Sequence, residues 1–356
     1  MVLYAILAYN VLYLNKLIEF KTTKMKKKNV KLLVAFSWVI VGGMAMTACS
    51  GNDREDNSED VYSPYVTKVL DFCPAPGQFT NSIPSWEEGD TQETMNQKAL
   101  DAIGNNKKGM VSLGSFGGYI VVGFDHAIEN VPGKRDFRIL GNAFYSNDNP
   151  NPNPPREGGS CEPGIVMVAY DKNKNGKPDD DEWYELAGSE YSRTTTLKKY
   201  EITYFRPDEN KTPPEVNEGD LVIDPEYIRW EDNQGQSGYI VKNMYHKDNS
   251  YYPQWTEGDK LVLKGTLLPN NGVDEGKEYG NGSYWVLYAY DWGYADNRLN
   301  TEEGSTFDID WAVDEEGHPV SLPEINFIKI YTGVLQTCGA LGDTSTEVCG
   351  VEDLHL

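Results

Sequence analysis

Residues 171–182, D-K-N-K-N-G-K-P-D-D-D-E, constrain this chain more than any other stretch. Oxygen-bearing side chains recur at Asp171, Asn173 and Asn175; Gly176 follows, and Glu182 comes after five further residues. That is the spacing D-x-[DN]-x-[DN]-G-x5-E of a calcium-binding loop. Alternating side chains of this kind can converge on one hard cation, which takes about 6–8 oxygens at roughly 2.3–2.6 Å. Gly176 permits the sharp turn, Glu182 can close the shell with both oxygens, and the Lys177 carbonyl and Asp179 carboxylate are further donors. Asp179, Asp180 and Asp181 crowd the same loop, and a cation would relieve their repulsion. The alternative is an acidic, solvated hairpin loop without an ion.

The flanks are not those of a helical calcium hand. Residues 165–170 (IVMVAY) and 183–186 (WYEL) both read as strand. The rest of the chain follows suit. Short apolar or alternating runs lie near residues 110–113, 119–125, 136–144, 200–205, 228–230, 260–268, 284–290, 307–313 and 325–332, with turn-rich segments between them. One capping box, Asp90-Thr91-Gln92-Glu93, precedes Met95, Ala99, Ala102 and Ile103 at helical spacing, so one short N-terminal helix is expected. The Gly cluster at 114–118 lacks the Lys-Ser/Thr ending of a phosphate loop and reads as a hairpin turn. No repeat of fixed period is visible. The expected fold class is all-β, a β-sandwich or jelly roll with long loops, as one domain over residues 61–356.

Before that domain the pattern is that of export. A basic segment from Met25 to Lys31 leads into an apolar run ending Met46-Thr47-Ala48-Cys49. Residues 1–48 therefore read as a lipoprotein signal region, with 1–24 a start assigned too early and Cys49 the lipidated residue. An uncleaved membrane anchor is the alternative. Residues 49–60 are polar and acidic, the composition of a disordered tether. The expected location is the outer membrane at the cell surface, held by lipid. The whole chain carries a formal net charge of −23. That excludes nucleic acid as a partner, because phosphate binding needs a basic face. Cys73, Cys161, Cys338 and Cys349 remain after export, and an oxidising compartment allows three pairings; Cys338 with Cys349 closes the shortest loop.

Several segments together resemble a known family. They include Pro74-Ala75-Pro76-Gly77-Gln78-Phe79, Ser112-Leu113-Gly114-Ser115-Phe116-Gly117-Gly118, Trp183-Tyr184-Glu185-Leu186-Ala187-Gly188-Ser189-Glu190-Tyr191, Phe307-Asp308-Ile309-Asp310-Trp311-Ala312-Val313 and Ser345-Thr346-Glu347-Val348-Cys349-Gly350. The chain resembles Bacteroidetes cell-surface lipoproteins, often described only as cell surface proteins or found beside PKD domains. The resemblance implies a surface-exported β-sandwich. It also implies proximity to a TonB-dependent transporter, including systems that take up corrinoids. It supplies no activity.

Other candidate sites are weaker. His246, Tyr251, Tyr252 and Trp255 cluster with Asn and Asp residues, a composition suited to stacking a sugar or a planar cofactor. His246 could also serve as an axial metal ligand. Aromatic packing at the rim explains the same residues. Asp291, Asp296 and Asn297 lie in a Gly-containing turn and suit either a second calcium or turn capping. No G-x-S-x-G and no zinc spacing occurs, and scattered carboxylates do not define a glycosidase. The leading expectation is a non-catalytic, calcium-stabilised surface protein that binds a glycan or another scavenged nutrient. A structural or adhesion protein, a corrinoid-binding accessory of an uptake system, and a glycan-active enzyme are the alternatives, in that order.

Overall fold

In a computed structural model, residues 61–217, 221–279 and 282–356 are described. The signal region 1–48, the tether 49–60 and the lipidation candidate Cys49 lie outside them. No described helix is long and apolar enough to cross a membrane.

A six-stranded antiparallel sheet runs in the order Lys68–Cys73, Tyr119–Glu129, Glu324–Thr332, Gly164–Ala169, Trp183–Leu186, Ala312–Val313. Its register explains the sequence pattern. Ile330 pairs with Ile120 and Val166, and Tyr331 with Tyr119 and Ile165. Successive side chains on a strand point to opposite faces. Ile120, Val122, Val166, Val168, Ile328 and Ile330 therefore enter one apolar cluster, shared with the helix residues Met95, Ala99 and Ile103. Tyr119, Ile165, Met167 and Tyr331 point the other way, into a second cluster with Tyr200, Ile202, Tyr204, Ile228 and Leu263. These last residues belong to a four-stranded sheet, Ser237–Asn243, Val222–Asp232, Leu197–Phe205, Lys260–Leu267. A second four-stranded sheet (Gly272–Asp274, Trp285–Tyr288, Gly158–Ser160, Phe144–Tyr145) and a three-stranded one (Thr306–Phe307, Phe137–Leu140, Gly350–Asp353) follow. The pair Glu347–Val348 with Val111–Ser112 completes the set.

The sheets are arranged as a four-bladed β-propeller, which corrects the β-sandwich or jelly roll expected from the sequence. A sandwich has one core between two sheets, each with a wet outer face. Here the six-stranded sheet is apolar on both faces and separates two cores. Blades packed about an axis bury sheets in this way. The blades differ in strand number, so no repeat period marks them in the sequence.

Local expectations fared better. The helix spans Gln92–Ile103, one residue later than the predicted box: Thr91 is the cap, and its hydroxyl accepts from Thr94 N–H while Thr94 reaches back to Thr91 N–H at 2.7 Å. The Gly cluster is a correction. Val111–Ser112 and Tyr119–Glu129 do not pair with each other; the segment between them crosses from one sheet to another. Gly118 is required there, since a Cβ would stand 1.8 Å from the Leu113 carbonyl. All four described cysteines are free thiols, so the favoured Cys338–Cys349 bridge is absent. Cys338 Sγ faces the Thr344 hydroxyl at 3.8 Å, whereas Cys349 N–H is bonded to the Leu140 carbonyl beside another sheet. Burial pushes all four thiols up to about 12.

Candidate functional sites

The loop 171–182 joins two neighbouring antiparallel strands, with Ala169 opposite Trp183 and Met167 opposite Glu185. It coils inward around its own oxygens. Asp171 Oδ1 accepts Asn175 N–H at 3.0 Å and Oδ2 accepts Gly176 N–H at 2.8 Å. Asn173 Oδ1 accepts Asn175 N–H at 2.9 Å, and Asn175 Oδ1 accepts Lys177 N–H at 2.8 Å. Glu182 closes the loop from the far end, accepting Lys172 N–H at 2.8 Å and Asp179 N–H at 3.1 Å. Gly176 has φ +75°, the left-handed turn the spacing demanded. Asp171 and Glu182 are buried while the intervening residues are mostly exposed. The Asp171 N–H is held by Asn326 Oδ1 at 2.9 Å, which ties the loop to the middle of the six-stranded sheet.

The donor set suits a hard cation: carboxylates from Asp171, Asp179 and Glu182, amides from Asn173 and Asn175, and the Lys177 carbonyl. Among the described residues no Lys or Arg forms an ion pair with the three carboxylates. Asn173 and Asn175 instead turn their amide nitrogens to Asp179 Oδ2, at 2.6 and 2.9 Å. Their Oδ1 atoms stay on the Asn175 and Lys177 N–H groups, so both amides are fully engaged within the loop.

The aromatic segment is placed differently from expectation. Tyr251 and Tyr252 are fully buried and belong to the second core. Tyr227 packs edge-on to Tyr251 at 5.4 Å, and the Arg206 guanidinium covers Tyr252 at 4.3 Å, so neither ring is free to stack on a ligand. Trp255 stacks on Phe72 at 5.8 Å. His246 meets the Phe79 ring edge-on at 4.6 Å, and burial lowers its proton affinity.

The same segment nonetheless builds one wall of a polar groove of about 340 Å³. Asp248, Asn249, Ser250 and Gln254 face Asn81, Ser85 and Trp86 across it. Tyr252 contributes its carbonyl, which accepts from Asn81 Nδ2 at 2.9 Å and Gln254 Nε2 at 2.8 Å. Asn81 Oδ1 takes Gln254 N–H at 3.1 Å, and Asn249 Nδ2 reaches Ser82 Oγ at 3.1 Å. Asn81 and Trp86 were missed because they lie more than 160 residues from the other wall, in a Pro-rich segment without periodicity.

A third feature has no trace in local sequence. Glu162, Asp296 and Glu347 bring carboxylate oxygens within 4.8 Å of one another. Asp296 and Glu347 are buried and Glu162 is half-buried. Asp296 Oδ1 accepts from Asn142 and Ala143 N–H at 2.7 and 2.8 Å, and its Oδ2 from Glu347 N–H at 2.9 Å. Ser345 N–H and Ser160 Oγ donate to Glu162, and Ser112 Oγ donates to Glu347 at 3.0 Å. Burial raises all three carboxyls, Glu162 to about 7, and their mutual repulsion raises Asp296 and Glu347 further, well above the usual carboxylate range. Asp296 thus does not join Asp291 and Asn297 in a second calcium set. Asn297 caps the turn instead, bonding both backbone groups of Tyr290 at 2.7 and 2.9 Å.

No family model matches the chain, and no curated protein matches it either.

Proposed function

We propose that this chain is a calcium-braced β-propeller that binds a neutral saccharide, without catalysis, in the groove between Trp86 and Gln254. The observation that carries the reading is the groove's lining: amides and hydroxyls held by hydrogen bonds before any ligand arrives, with one carboxylate and an indole beside them. Sugars present hydroxyls in rows and apolar ring faces, and such linings match both. A site preorganised in this way loses little ordering entropy on binding. Calcium in the 171–182 loop would hold Asp171, Asn173, Asn175, Asp179 and Glu182 together and add its binding free energy to folding, with no part in chemistry. The reading includes lipidation at Cys49, outer-surface location and delivery of the ligand to a TonB-dependent transporter, all of which rest on the sequence.

A glycan array followed by calorimetry on the hits tests it. The expected result is a neutral oligosaccharide bound with unchanged covalent structure, with affinity falling at least tenfold in Trp86→Ala and in Gln254→Ala. An array without hits would favour the adhesion reading, and hydrolysis of a bound glycan would overturn the non-catalytic one.

A further inference from the structure

A second opening, of about 610 Å³, lies on another part of the molecule, between the loop after residue 153, the turn at 190–195 and the segments at 269–270 and 290–291. Arg156, Arg193, Thr195, Asn270 and Tyr290 contribute to its wall. Arg156 is unusual for so acidic a chain. Its guanidinium lies over the Tyr290 ring, 5.2 Å from the centroid, and makes no hydrogen bond or ion pair among the described residues. Stacking on a ring fixes the guanidinium plane while leaving its N–H edge free, the edge that pairs with two oxygens of a carboxylate at once.

Arg193 is arranged to assist. Its Nε bonds Glu190 Oε2 at 2.8 Å, and Glu190 is itself buried, accepting from Ser189 and holding its own N–H on the Tyr294 hydroxyl. That pairing consumes one donor of the guanidinium and leaves the terminal nitrogens, on a side chain 60% exposed, toward the cleft. The Tyr290 hydroxyl feels both cations: burial and Glu190 raise its proton affinity, and Arg156 and Arg193 pull it down. The carboxylates on the cleft wall are already engaged, Glu190 by Arg193 and Asp291 more loosely by Arg298 at 3.9 Å. One positive charge is therefore left without a counter-charge in a molecule whose net charge is −23. Such a cation is stabilised by an anion that brings its own short-range hydrogen bonds, since the long-range field of the protein repels anions.

We propose that this cleft is a second ligand site, independent of the saccharide groove, that takes a hydroxylated carboxylic acid of the uronic acid class. The carboxylate pairs with the Arg156 fork and the terminal nitrogens of Arg193. The ring hydroxyls meet the Thr195 hydroxyl and the Asn270 amide.

Titration of the full chain with D-glucuronate, D-glucose and inorganic phosphate, read by calorimetry, tests the assignment. Glucuronate binds, glucose does not compete with it, and affinity falls at least tenfold in Arg156→Gln and severalfold between 50 and 500 mM salt, as expected of an exposed ion pair. Arg156→Gln changes the melting temperature little, because only the contact with the Tyr290 ring is lost. Arg193→Gln weakens binding by a smaller factor. Equal binding of glucose and glucuronate, tighter binding of phosphate than of glucuronate, or an unchanged affinity in Arg156→Gln would each overturn the proposal. Trp86→Ala leaves glucuronate binding intact; its loss in that variant would place the anion in the groove and refute a second site.

Discussion

The loop 171–182 and the cluster Glu162, Asp296 and Glu347 face one electrostatic problem and meet it in opposite ways. Both crowd carboxylates. In the loop the acids are consecutive in sequence and wrapped by backbone N–H groups, and they are open to solvent on one side. An external cation can neutralise them. In the cluster the acids come from three distant segments and meet inside the protein, where repulsion is least screened. Burial and mutual repulsion push all three toward the protonated form. The cluster also joins the C-terminal segment to the turn at 296 and the strand near 160.

The largest effect expected from breaking this contrast is at Asp296. Asp296→Ala strands three backbone N–H donors, those of Asn142, Ala143 and Glu347. The Glu347 donor is buried and the other two partly so; with the buried carboxylate also removed, the loss is about 3–5 kcal/mol, measurable by denaturant unfolding. Asp296→Asn keeps an acceptor oxygen and loses much less.

The next effect is on pH. A carboxyl that binds its proton more tightly in the folded than in the unfolded chain contributes its full share of stability below about pH 4. That share is lost as pH climbs through the folded value, near 7 for Glu162; burial and mutual repulsion also raise Asp296 and Glu347 well above the usual carboxylate range. In chelator, the melting temperature should therefore fall as pH rises from about 4 through neutrality, the three carboxyls losing their protons as one coupled set. Glu347→Gln keeps an oxygen for Ser112 Oγ and removes one ionisation, so it should flatten that slope. A slope unchanged by Glu347→Gln would show that the cluster does not hold the protons.

How much of this could be read from the chain follows the same division. The helix, to within one residue of its cap, and most strand positions were legible, because each depends on residues within one turn or one alternating run. The loop side chains bond back onto their own loop, and Met95, Ala99 and Ile103 are buried on one helix face. The propeller was not legible. Alternation tells that Ile120 and Tyr119 face opposite ways, but not that both faces are covered. The insertion of Glu324–Thr332 between Tyr119–Glu129 and Gly164–Ala169 is a pairing across most of the chain. The aromatic side chains proposed for ligand stacking are packed instead against other rings and a guanidinium. Tyr251 and Tyr252 serve as core, and their polar neighbours Ser250 and Gln254 line the opening. The acid cluster left no signal, since Glu162, Asp296 and Glu347 each look like one more surface acid.

The most direct test of the account is the melting temperature of residues 61–356 at pH 7 with calcium and with EGTA, in the wild type and in Asp171→Ala. A site filled at a hundredfold over its dissociation constant adds about 2.7 kcal/mol, or roughly 5 °C for a domain of this size. The account predicts that shift in the wild type, reversal on adding calcium back, and no response in Asp171→Ala. Identical melting in calcium and EGTA would contradict it.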